Sequence, residues 1–115
     1  MNSFGSRFRS DNRLSKSEEF KHVFSTRLRS SDKSFVFIAK DNGNRQARLG
    51  LAVPKKHIQK SFERNRLKRV IRESFRSRKK QLEGKDIVVL VKSSLDVNSK
   101  LIEPRLAAHW EKLCK

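Results

Sequence analysis

Leu67, Val70, Ile71 and Phe75 recur at the i, i+3, i+4 and i+8 spacing that draws one apolar stripe along a helix. The segment around them, Lys55 to Lys80, holds 12 basic residues against two acidic ones, Glu63 and Glu73, a net charge of +10. At about 100° per residue, Asn65, Arg69, Arg72 and Arg76 fall opposite the stripe, flanked by Arg66, Lys68 and Lys80. One helix, with Gly84 after Leu82-Glu83 as its expected stop, therefore carries a face that must enter a core and a face that cannot. So many like charges on one side repel each other, and an opposing polyanion relieves that repulsion.

The rest of the chain has to supply the core. It is short, 115 residues with a formal net charge of +17, and only 35% of its residues are hydrophobic. This suits a single small domain. Eight Phe and one Trp separate it from basic tails that stay unfolded for lack of aromatic residues. Residues 1–13 show no period and intersperse Arg7, Arg9 and Arg13 with Phe4 and Phe8, so they read as a basic, flexible arm ahead of a domain over 14–115. Ser15 and Glu18 have capping-box spacing. A helix is expected from Ser15, with Phe20, Val23 and Phe24 on one face, ending before the Ser30-Ser31-Asp32 turn.

Phe35 to Ala39 is aromatic and β-branched and reads as a strand; Asp41-Asn42-Gly43-Asn44 signals a turn, so a hairpin to a strand over Arg45 to Val53 is expected. Asp86 to Val91 is an unbroken apolar run after its first residue, the pattern of a strand buried on both faces. Leu101 to Leu113 places Ile102, Leu106, His109, Trp110 and Leu113 on one side of a final helix, with Pro104 in its first turn, where proline is tolerated.

Reactive chemistry finds little support. His22, His57 and His109 are far apart, Cys114 is the single cysteine, and neither paired carboxylates of the two-metal kind nor a Gly-rich phosphate loop occurs. No catalytic residue and no metal ligand is expected in the chain. No apolar stretch approaches the roughly 20 residues that span a bilayer, and Met1 to Arg13 contains no signal-like apolar segment. A cytoplasmic protein without a membrane partner is expected. Aromatics beside positive charge favour RNA over duplex DNA, because unpaired bases stack on such rings. Phe20, Phe24, Phe35 and Phe37 are the candidates, although a Phe pair at regular spacing is core filler more often than a platform. A ribosomal protein or general RNA chaperone would carry a similar charge, and an independent nuclease is a more distant alternative.

The run Arg64-Asn65-Arg66-Leu67-Lys68-Arg69-Val70-Ile71-Arg72-Glu73-Ser74-Phe75-Arg76 closely resembles the signature helix of the bacterial ribonuclease P protein family. Three further segments match in the same order: Arg13-Leu14 with Phe20 and Val23-Phe24, Arg48 to Lys56, and Lys85 to Val89. The resemblance covers roughly residues 12 to 113 and implies an α/β two-layer fold. That fold has a small central mixed sheet of three to four strands, a left-handed βαβ crossover, and N- and C-terminal helices packed on the sheet. It also implies a subunit of a ribonucleoprotein that removes the 5′ leader from precursor tRNA. The catalytic RNA would hold the Mg2+ ions, and the protein, one copy per RNA and monomeric by itself, would bind the leader and raise substrate and metal affinity.

By the same resemblance, Arg64, Asn65, Arg66, Lys68, Arg69, Arg72 and Arg76 would contact the catalytic RNA. Phe20, Phe24, Phe37, Lys55, Lys56, Val91 and Lys92 would form the leader cleft. Ile38 stands where some relatives have a cleft tyrosine, the stretch from His57 to Glu63 lacks a glycine common among relatives, and Pro54 replaces a small polar residue.

Overall fold

The computed structural model describes residues 28–43 and 46–114. Four strands, β1 (Leu28–Ser31), β2 (Phe35–Asp41), β3 (Arg48–Ala52) and β4 (Lys85–Val91), form one mixed sheet in the order β1-β2-β4-β3. Among the described residues two helices, α1 (Ser61–Ser77) and α2 (Ile102–Leu113), pack on it. The basic arm and the helix expected from Ser15, with Phe20 and Phe24, lie outside the described residues.

The apolar run places β4 in the interior of the sheet, antiparallel to β2 and parallel to β3. Alternate β4 residues feed two cores. Ile87, Val89 and Val91 join Phe35, Phe37, Ala39 and Leu49 beneath the helices, where Leu67, Ile71, Phe75, Ile102, Leu106, Trp110 and Leu113 meet them. Val88 points the other way and clusters with Val36 and Ile38, with Leu90 packed alongside. Both helical stripes therefore enter the core as their spacing implies, and Leu82 closes it below the turn that follows α1.

Three expectations need correction. Strands β2 and β3 do not form a hairpin. The chain leaves β2 through Asn42 and Gly43, whose φ of 74° suits glycine, and β4, apolar on both faces, takes the place between them. Leu28 and Arg29 are strand instead of the end of a helix, paired with Ala39 and Ile38. The hairpin in this region is β1–β2, turned by Asp32, whose Oδ1 accepts from the backbone N–H groups of Ser34 at 2.8 Å and Phe35 at 2.9 Å. Finally, α1 stops at Ser77, seven residues before Gly84, and the chain continues in turns.

The connection from β3 through α1 to β4 is the crossover unit, since β3 and β4 are parallel neighbours with Leu49 opposite Ile87 and Leu51 opposite Val89. Parallel register puts the ends of both strands at one end of the sheet. The loops that follow, 53–60 and 92–101, and the start of α1 are gathered there.

Candidate nucleic-acid interface

The cationic helix is held from behind. Trp110 Nε1 donates to Ser74 Oγ at 2.7 Å, and Ser74 Oγ donates to Glu103 Oε1 at 3.0 Å. This relay ties the buried side of α1 to α2 and gives the buried Trp110 N–H and Ser74 hydroxyl their partners, as burial requires. Arg78 reaches Glu111 at 3.3 Å one turn beyond. With its back fixed, α1 presents Asn65, Arg66 and Arg69 as exposed side chains, with Lys68, Arg72 and Arg76 partly exposed. The structure thus brings the expected contact residues onto one helix and leaves them reachable.

Arg64 and Arg66 also bond within the fold. Arg64 donates through NH1 to the carbonyl oxygens of Ile58 at 3.0 Å and Gln59 at 2.8 Å, pinning the loop that enters α1. That loop begins with a turn in which the Ile58 N–H meets the Pro54 carbonyl at 3.2 Å, and the Ile58 side chain is buried in the core. Arg66 donates to Asn98 Oδ1 in the loop after β4. The two loops at this end of the sheet are therefore fastened to the start of the basic helix.

Lys55, Lys56 and Lys92 are exposed at this same end, after β3 and β4. The other cleft expectations within the described residues are corrected. Phe37 is fully buried, stacked on His109 with ring centroids 4.4 Å apart and edge-on to Trp110 at 4.8 Å. Val91 is also fully buried in the main core. Both side chains lie on the helix-covered face of the sheet, so neither offers a surface to a ligand. Phe35 is buried likewise, with the Arg105 guanidinium 5.1 Å from its ring. Ile38, one residue from Phe37, stands on the opposite face.

Sequence reasoning missed the polar staple that attaches α2. Asp32 Oδ2 lies 2.9 Å from His109 Nε2, and Ser30 Oγ lies 2.6 Å from His109 Nδ1. Arg105 adds two bonds to the Asp32 carboxylate, at 2.9 and 3.2 Å. Partial burial pushes the Asp32 pKa up, but the hydrogen bonds from Arg105, His109 and the Ser34 and Phe35 N–H groups outweigh it and hold the carboxyl well below the usual carboxylate range. Another carboxylate, the buried Asp86, receives Arg48 in bidentate fashion at 2.8 and 2.7 Å and Asn42 at 2.9 Å. Apart from the Ser34 and Phe35 amides, these partners are 38 to 79 residues apart in the chain, so no local pattern reveals them.

Among the described residues, no three His, Cys, Asp or Glu side chains are grouped to hold a metal ion. No helix among them is long and apolar enough to cross a membrane.

Comparison with known proteins agrees with this geometry. The family model described as Ribonuclease P matches residues 8–114. The ribonuclease P protein component of Methylococcus capsulatus is 41% identical over 104 residues, covering 90% of this chain and 81% of that protein. That of Aliivibrio fischeri is 38% identical over 104 residues, covering 90% and 89%. Among solved structures, the ribonuclease P protein of Staphylococcus aureus superposes with a TM-score of 0.76 at 28% identity, covering 90% of this chain and 95% of that one. The protein from Thermotoga maritima does so with a TM-score of 0.62 at 31% identity, covering 88% and 90%. A signature helix held at its back and open at its cationic face, in a matching fold and sequence, places this chain in the ribonuclease P protein family.

Proposed function

We propose that the chain is the protein subunit of a ribonuclease P ribonucleoprotein and assists a catalytic RNA in removing the 5′ leader from precursor tRNA in the cytoplasm. The observation that carries this reading is the outward face of α1. Asn65, Arg66, Lys68, Arg69, Arg72 and Arg76 share a rigid helix whose other side is committed to the core. Such a face positions the protein on an RNA backbone through phosphate contacts. In this reading Arg64 acts mainly as a positioning residue, through the loop it pins.

Leader binding falls to Lys55, Lys56 and Lys92 at the end of the sheet, together with Phe20 and Phe24. Catalytic Mg2+ belongs to the RNA. The protein's contribution to substrate and metal affinity is electrostatic, since its charge offsets phosphate repulsion between the RNA and its substrate. One protein per RNA, monomeric when free, completes the proposal.

Competition between precursor and mature tRNA for the assembled complex tests the reading. Preferential retention of precursor, increasing with leader length, is expected. Equal competition by mature tRNA indicates a general RNA binder and overturns it. Lys55→Ala with Lys56→Ala should erase most of the dependence on leader length while leaving affinity for the catalytic RNA nearly unchanged.

A further inference from the structure

Among the described residues every Phe and Trp is fully buried except one. Phe35, Phe37, Phe75 and Trp110 have no solvent exposure, whereas Phe62 is 62% exposed. A single exposed apolar residue is ordinary on a protein surface. The position of this one is not. Phe62 does not belong to the apolar stripe of α1; it lies three, seven, ten and fourteen residues before Asn65, Arg69, Arg72 and Arg76, and so begins the cationic face. The Lys60 ammonium lies 5.9 Å from its ring centroid, and exposed Lys55 and Lys56 stand in the loop just before it.

An aromatic ring in this setting has one natural partner. A polyanion whose backbone follows the cationic stripe brings its bases within reach, and any unpaired base can stack on an exposed ring whatever its identity. Duplex RNA cannot do this, because its bases are already stacked. A membrane is a poor fit too, since one ring at the head of a polar stripe gives no apolar face to insert.

We propose that Phe62 is a stacking platform for an unpaired nucleobase of the catalytic RNA, at the N-terminal end of the cationic face of α1. The proposal rests on α1 as the RNA-binding face and adds a local, uncharged contact to it. Base stacking and phosphate pairing respond differently to salt. Loss of a phosphate contact flattens the dependence of log affinity on log salt concentration, by about 0.9 per contact on the duplex-DNA scale, whereas loss of a stacked base lowers affinity at every salt concentration alike.

The test is a titration of a folded bacterial ribonuclease P RNA with the full chain and its Phe62→Ala, Phe62→Trp and Phe62→Leu variants at several salt concentrations. Arg69→Ala serves as the charge control. Phe62→Ala should bind about 10-fold more weakly at each salt concentration, with the wild-type slope. Phe62→Trp should restore affinity and Phe62→Leu should not, while Arg69→Ala should reduce the slope. Wild-type affinity in Phe62→Ala, equal rescue by Leu and Trp, or a changed slope would overturn the proposal. So would a defect seen only with leader-bearing substrate, which would move the stacked base from the catalytic RNA to the leader. If the unaltered chain neither binds this RNA tightly nor stimulates its cleavage of precursor tRNA, the functional reading itself fails, and the stacking proposal falls with it.

Discussion

Neighbouring residues in this chain divide between structural and functional tasks, and β2 shows how sharply. Phe37 and Ile38 are adjacent, yet one is stacked on His109 in the main core and the other faces away with Val36 and Val88. The strand itself was legible in the sequence. The face was not, because the period of two leaves open which alternate set meets the helices until the partners of the strand are known. Phe37→Ala should therefore cost about 3–5 kcal/mol of stability, and Phe62→Ala no more than about 0.5 kcal/mol; urea denaturation of the two variants checks both. Asp32 permits a prediction with a sign. Its pKa is lower in the folded protein than in the unfolded chain, so its stabilising contribution is complete above the unfolded value near 3.8 and declines as the pH falls below it. Asp32→Asn should destabilise at pH 7 by about 1–2 kcal/mol, and the gap between variant and parent should narrow as urea melts are moved from pH 5 toward pH 3.

Elements were legible in proportion to how local their determinants are. The stripes Leu67, Ile71, Phe75 and Ile102, Leu106, Trp110, Leu113 mark α1 and α2, and all seven residues are buried. Strand β4 was readable because it is apolar on both faces. Which strands would flank it was not, because the Asn42-Gly43 turn signals a change of direction without saying that β4 will occupy the place beside β2. Strand β1, with the sequence Leu-Arg-Ser-Ser, has no apolar alternation to announce it. The clamp between α1 and α2 depends on contacts across 29 and 36 residues, Ser74 with Glu103 and Ser74 with Trp110. Ser74→Ala would leave the buried Trp110 N–H without its acceptor, at a cost of about 1–3 kcal/mol. A double-mutant cycle with Trp110→Phe should show the two changes to be less than additive, because the second removes the group that the first strands.

For the molecule as a whole, the charge of +17 is a placed feature, since +10 lies within residues 55–80 and six of the cations in that segment stand on a helix fixed at its back. Salt is the lever on such a site. If 6–10 phosphates are contacted, affinity for RNA should fall by about 10³–10⁵ between roughly 50 and 200 mM salt, on the duplex-DNA scale. Polyphosphate should raise the melting temperature of the free protein, because a ligand bound by the folded state alone stabilises it. An unchanged melting temperature would mean that the charges do not act together. The most direct measurement of the central claim is cleavage of precursor tRNA at low Mg2+ by a bacterial ribonuclease P RNA. It is run without protein, with the chain, and with the chain carrying Arg69→Ala and Arg72→Ala. Strong stimulation by the chain and loss of most of it in the double variant at equal protein concentration, recovered as protein is raised, is the predicted result. No stimulation, or equal stimulation by both proteins at limiting concentration, would contradict the account.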